Sequence, residues 1–247
     1  MTALTTVFLK IFFRNRRAMF FVIFLPAALF LILALLRFEQ VFRLNVGQNY
    51  TDFLLPGIVA FAVMQMGIYT VAYSLIDFHK QMVLKRLAVT PLTSGQFLLS
   101  QSLARFIIAL IQTSLLLLLA LTIFQTGFSW QIVFTPLIIL VCTIIFLNFG
   151  SIIASIARDY EEAAPYTAVV GLSMSFLGDV FFPLANLPQW LQNFATALPM
   201  KPFVGLLRYS FFGMGKGQLL PNLLILLCWL VASTLGAKTI FAKKAYR

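Results

Sequence analysis

The run Phe106–Phe124, FIIALIQTSLLLLLALTIF, is 19 residues without one charged side chain. As a helix rising about 1.5 Å per residue it covers roughly 30 Å, the hydrocarbon thickness of a bilayer. A barrel strand would alternate in polarity over about 10 residues, and this block does not alternate. Five further runs of spanning length surround it, at 18–36, 52–76, 136–157, 163–182 and 220–241. The whole chain of 247 residues is 61% hydrophobic and only 10% charged, with mean hydropathy +0.97. Soluble domains sit near roughly 45–50% apolar and about 25% charged, so the apolar excess must face lipid. The expectation is an all-α membrane protein of six transmembrane helices, organised as one domain over 1–247.

Sidedness follows from the cations. Lys10, Arg14, Arg16 and Arg17, then Lys80, Lys85, Arg86 and Arg105, then Arg158, and finally Lys238, Lys243, Lys244 and Arg247 fall on one side of the six runs. The opposite side holds only Arg37, Arg43, Lys201, Arg208 and Lys216. The richer side is cytoplasmic, which puts both termini inside. The net charge of +11 is then topogenic and lipid-facing, and no basic domain interleaved with aromatics points to nucleic acid. The first run has a basic lead like a signal peptide, but it is long for one and Leu36-Arg37-Phe38-Glu39 follows in place of a small-residue cleavage site.

Three segments outside the runs carry information. In 1–17, Leu4, Val7, Phe8, Ile11 and Phe12 recur at helical spacing opposite Lys10, Arg14 and Arg17, which predicts an interfacial helix on the inner leaflet. In 77–102, Phe78, Met82, Leu84, Leu87 and Val89 mix with His79, Lys80, Lys85 and Arg86 until Thr90-Pro91, which predicts a short cytosolic helix. Composition alone leaves two roles open for it, a docking element for a soluble partner or a solvated linker. The outer segment 183–217 is too apolar for a watery loop, and Pro183, Pro188, Pro199 and Pro202 cut it into short pieces. A re-entrant helical pair is expected, permitted where protein neighbours or water satisfy the broken backbone, and it suggests an outer gate.

Polar residues inside the runs are few. Gln65, Tyr69 and Tyr73 stand four apart on one helix face, so they line a pathway or hydrogen-bond between helices. Gly150, Ser151, Ala154 and Ser155 read as a close-packing stripe. Asp179, near the outer end of the fifth run, is the acid closest to the membrane interior. An ion-coupled carrier would need acids nearer the midplane. Asp159, Glu161 and Glu162 suit the positive end of the fifth helix, with Pro165 in its early turns. Cys142 and Cys228 are packing residues, and a lone histidine, His79, supplies neither a metal cluster nor a catalytic triad. The phosphate-loop pattern Gly-x4-Gly-Lys-Ser/Thr is absent. ATP-driven transport would therefore need a separate ATPase.

Two stretches resemble the type-2 ABC exporter permeases, the drug-exporter branch in particular. One is Val83-Leu84-Lys85-Arg86-Leu87-Ala88-Val89-Thr90-Pro91-Leu92; the other is Phe181-Phe182-Pro183-Leu184 with Leu187-Pro188-Gln189-Trp190-Leu191, Pro199 and Arg208. They come in the family's order and on the predicted sides. The resemblance implies a permease without its own ATPase site or cofactor, in a bacterial inner membrane. It implies pairing with a second permease copy, a homodimer in the first instance, and with two cytosolic ABC ATPase subunits that hold ATP and Mg. It also implies an ATPase-coupling role for His79, Lys80, Lys85, Arg86, Leu87, Thr90 and Pro91. An outer gate would include Phe182, Pro183, Pro188, Trp190 and Arg208. Two departures stand out: the family has an acid and a glycine where this chain has Lys80, Gln81 and Met82, and often a glycine where it has Asp179-Val180.

Together these readings predict an ATP-driven exporter of an amphiphilic or lipophilic cargo, drug or lipid-like. The alternatives are a permease for a lipid-linked polysaccharide, an ion-coupled secondary carrier or a non-transporting membrane scaffold.

Overall fold

The computed structural model describes residues 2–36, 50–82, 94–184 and 187–245. It is helical throughout these residues, without a strand among them. α1 is Thr2–Arg14. α2 comprises Arg16–Met19, a π-turn at Phe20–Phe24 and Leu25–Leu35. α3 comprises Tyr50–Gln65, a π-turn at Met66–Thr70 and Val71–Lys80. α4 is Ser94–Phe124, and α5 is Thr135–Ile156, led in by a 3-10 turn at Trp130–Phe134. α6 is Tyr160–Leu177, α7 Gln189–Ala197, α8 Met200–Phe212 and α9 Leu219–Ala245.

Five of these helices are long and apolar enough to cross a membrane, over Arg16–Leu35, Tyr50–Phe78, Leu99–Phe124, Trp130–Ile156 and Lys216–Thr239. They correspond to the first four and the last of the six predicted runs. α3 has the lowest mean hydropathy of the five, 1.8, and is the most buried, at 78%; α9 is only 11% buried. For α3 the pairing has a physical basis: a helix surrounded by protein can keep polar side chains at little cost. α3 and α5 form the centre, with α2, α4 and α9 around them. Their crossing is tight, since a Cβ on Gly67 would lie 2.5 Å from Phe146 Cβ and one on Gly150 would lie 2.5 Å from the Gly67 carbonyl oxygen. The small residues read at 150–155 thus serve close packing. Asn148 Nδ2 ties α5 to α9 by donating to Ser233 Oγ at 3.2 Å and Thr234 Oγ1 at 3.1 Å.

The fifth predicted run takes a different form. Its helix, α6, starts earlier and stops at Leu177, because Gly178 ends it and Asp179 adopts left-handed backbone with φ +59°. Phe181 and Phe182 lie in the turn beyond. Glu161 and Glu162 occupy the first turn, and the Asp159 carboxylate accepts from the Glu162 N–H at 2.9 Å. Acids in the first turn complement the helix's positive end and also lower its hydropathy, so α6 is not among the five.

At the C-terminal end of α3, Phe78, His79 and Lys80 continue that helix instead of opening a new one, and α4 begins at Ser94. Lys85, Arg86, Leu87, Thr90 and Pro91 lie outside the described residues. Met82 is left-handed, with φ +54°. Both departures noted against the resemblance, around Met82 and Asp179, therefore sit on backbone that glycine adopts freely. The segment 183–217 holds α7 and α8, separated at Leu198-Pro199. α8 packs deeply: Met200, Phe203, Val204, Leu207 and Phe211 are fully buried.

Candidate functional site

Two clusters sit at opposite ends of α6, named inner and outer after the sidedness that the cations predict. The inner one joins α6 to the end of α3: the Tyr160 hydroxyl donates to Asp77 Oδ1, and Lys80 Nζ lies 4.4 Å from the centre of the Tyr160 ring. The carboxylate accepting its proton holds the Tyr160 phenol up at about 12. An aromatic face under an ammonium adds a cation–π attraction, modest because the site is open to water. Lys80 and Asp77 both fall in the coupling segment 77–102 expected from the sequence, but only Lys80 was given a role there, and Tyr160 was given none. Nothing in local spacing links residues 83 positions apart, so only the packing of α3 on α6 reveals them.

The outer cluster is built on Arg208, which α8 presents to the turn after α6. Arg208 Nη1 pairs with Asp179 Oδ2, and Nη2 donates to the Asp179 carbonyl oxygen at 2.8 Å. The other carboxylate oxygen of Asp179 accepts from the Leu184 N–H at 2.9 Å, closing the turn on itself. The guanidinium also lies 4.2 Å from the centre of the Phe53 ring on α3. Both partners are mostly buried, with 18% and 16% of their side-chain surface exposed. The same turn packs on α3 elsewhere: a Cβ on Gly57 would lie 2.3 Å from the Val180 carbonyl oxygen, and the Phe61 and Phe181 rings meet edge-on at 5.4 Å.

Of the residues predicted for an outer gate, Arg208 is thus the hub. Phe182 is half-buried, with its ring 6.0 Å from Phe176 on α6, and Pro183 is half-buried beside it. Pro188 and Trp190 are exposed, the latter at 70%. Two backbone carbonyls of this segment accept from neighbouring elements. Trp229 Nε1 of α9 donates to the Ala197 carbonyl at 2.7 Å, and the Ser129 N–H donates to the Phe211 carbonyl at 2.7 Å.

Gln65, Tyr69 and Tyr73 are half-buried on α3, and the two tyrosines turn toward α6. A Cβ on Gly171 would lie 2.6 Å from the Tyr69 hydroxyl, and the Tyr73 and Thr167 hydroxyls are 3.5 Å apart. Arg105, counted in the sequence as a cytosolic cation, is drawn against protein: Nη2 donates to Ser74 Oγ at 3.4 Å across to α3. Among the described residues no group of three or more His, Cys, Asp or Glu side chains is placed to hold a metal.

The family model for the ABC-2 type transporter matches residues 1–212. Curated relatives agree with it. The chain is 23% identical over 202 residues to the probable multidrug ABC transporter permease YbhR of Escherichia coli strain K12, covering 81% of this chain and 55% of that one. It is 24% identical over 192 residues to the inner membrane transport permease YadH of the same strain, covering 75% and 72%. It is 22% identical over 205 residues to nodulation protein J of Rhizobium leguminosarum bv. viciae, covering 81% and 78%. The chain spans about half the length of the first of these relatives. An all-helical fold of bilayer-length apolar helices, two motifs in order and a match over most of the chain place it in the ABC-2 transporter family.

Proposed function

We propose that this chain is the membrane permease subunit of an ATP-driven exporter that moves an amphiphilic or lipophilic cargo out of the cytoplasm. Two copies work with two cytosolic ABC ATPase subunits, which bind ATP and Mg and supply the hydrolysis; the permease itself has no catalytic or cofactor site. The family supports the partner, and relatives named as multidrug and transport permeases support the cargo class. In this reading α6 is a sixth membrane helix, α1 lies on the inner leaflet, and both termini are cytoplasmic. α7 and α8 form a re-entrant pair whose backbone is cared for by neighbouring protein, as a bilayer requires.

The observation that carries the mechanism is the tethering of α6 at both ends. Its inner end holds Lys80 through Tyr160 and Asp77, just ahead of Lys85, Arg86, Leu87, Thr90 and Pro91. Its outer end holds Arg208 through Asp179. Closure of the ATPase pair pushes on the segment 77–102, and α6 carries the displacement to the turn of Phe182 and Pro183. Nucleotide biases this equilibrium by binding the closed ATPase pair more tightly. Cargo moves along the seam between α3 and α6, where Gln65, Tyr69 and Tyr73 are half-buried.

The test is reconstitution with the ATPase in nanodiscs. Lys85→Glu with Arg86→Glu should weaken co-purification of the ATPase and return its rate to that of the ATPase alone. Full co-purification and stimulation in the double variant would rule out coupling through this segment.

A further inference from the structure

A cavity of about 110 Å³ lies where the junction of α1 and α2 meets α3 and α4. It is far larger than the roughly 10–15 Å³ that one water requires. Asn15, Thr70, Ser74, Gln101 and Arg105 line it with polar groups, and Phe8 and Ile11 stand at the α1 side. Among the described residues no carboxylate lines it. Arg105 spends one guanidinium nitrogen on Ser74, yet its buried Nη1 has no partner among the described residues. A buried cationic donor left unpaired is costly, and an anion in the cavity would remove that cost.

We propose that this cavity binds the phosphate of an anionic phospholipid from the inner leaflet. Arg105 is the anchor, Gln101 and Ser74 add neutral hydrogen-bonding groups, and the half-open wall of Phe8 and Ile11, the latter 52% exposed, takes the acyl chains. Arg14, Arg16 and Arg17 are exposed beside Asn15 and add a local positive field facing a negatively charged leaflet. Asn15 caps α2 by accepting from the Ala18 N–H at 3.1 Å, so the positive end of that helix also points to this region. Free phosphate has the same head chemistry but no use for the apolar wall. The assignment rests on the sidedness proposed above and not on coupling or cargo.

Native mass spectrometry of the purified full chain, without the ATPase, reads lipid retention directly. Phosphatidylglycerol should be retained about fivefold more than phosphatidylcholine, from roughly 1 kcal/mol per basic residue near the surface. Arg105→Gln should cut the phosphatidylglycerol adduct about tenfold, which is about 1.4 kcal/mol. Gln101→Met, close in volume, should cut it several-fold and serves if the arginine variant does not fold. Equal retention of the two lipids, an unchanged adduct in a folded variant, or displacement by millimolar inorganic phosphate would each overturn the lipid site. Loss of ATPase stimulation in the reconstituted exporter, with lipid retention intact, would strike the transport reading alone.

Discussion

The two ends of α6 are fastened by different physics. The outer end is mostly buried, and Arg208 satisfies a carboxylate and a carbonyl of the same residue while lying over Phe53. The inner end is exposed, with one hydroxyl–carboxylate hydrogen bond and one ammonium over a ring. Charges in a low-dielectric site interact strongly and are punished when separated, whereas exposed pairs contribute little. The outer joint is therefore rigid and the inner joint adjustable. The proposed mechanism benefits from that order, since a push at the inner joint must be yielded to there and delivered whole at the outer one.

The largest effect is expected where the outer joint is cut. Asp179→Ala leaves the Arg208 guanidinium without its counter-charge and releases the Leu184 amide, for a loss of about 3 kcal/mol, the scale for breaking a buried pair from one side. Thermal unfolding in detergent measures it. The double variant Asp179→Ala with Arg208→Leu should recover part of the loss, because no uncompensated charge remains. Equal stabilities for wild type and Asp179→Ala would show that the outer joint is as soft as the inner one.

Much of the architecture was legible because bilayer-length apolar blocks dictate helices irrespective of detail. α6 was the run that read differently, and for a local reason: residues around Gly178 and Asp179 can turn, and apolarity of Phe181 and Phe182 does not reveal that they do. Site legibility followed the same divide. Arg208 was visible through a motif, but its partner Asp179 was singled out only as an isolated acid and as a departure from the family's glycine, never as the partner of Arg208. Tyr160, Asp77 and Arg105 owe their roles to helices meeting across long stretches of sequence, which no spacing rule encodes. Arg105 is instructive, since a cation beside an apolar run counts toward topology whether it ends in water or against Ser74.

A smaller effect separates the two left-handed residues. Backbone of this type costs a side chain roughly 1–2 kcal/mol, and glycine gives back part of that as unfolded-chain entropy. Met82 is exposed, so Met82→Gly should stabilise the protein by about 0.5 kcal/mol. Asp179→Gly relieves the same strain yet forfeits the ion pair, so it should destabilise. Opposite signs in the same melting experiment would sharpen the contrast between a solvent-side turn and a buried one; like signs would erase it.

The smallest effect lies at the inner joint and is a matter of pH. The folded state holds the Tyr160 phenol at about 12, above the usual value of 10.0, because Asp77 accepts its proton and opposes a second negative charge. A group raised in the folded state contributes fully below its unfolded value and loses that contribution as pH climbs through the folded one. The window is thus between about pH 10 and 12, and the contribution is small because the pair is exposed. Tyr160→Phe should lower stability by about 0.5 kcal/mol near neutrality, the low end for one hydrogen bond. The gap between wild type and variant should close as pH rises through that window. A gap that stays constant to pH 12 would mean that ring packing, and not the proton shared with Asp77, holds α6 to α3. The same contact tethers Lys80, so the proposed coupling predicts that the variant also loses part of the ATPase stimulation at neutral pH, where its stability is nearly that of the wild type.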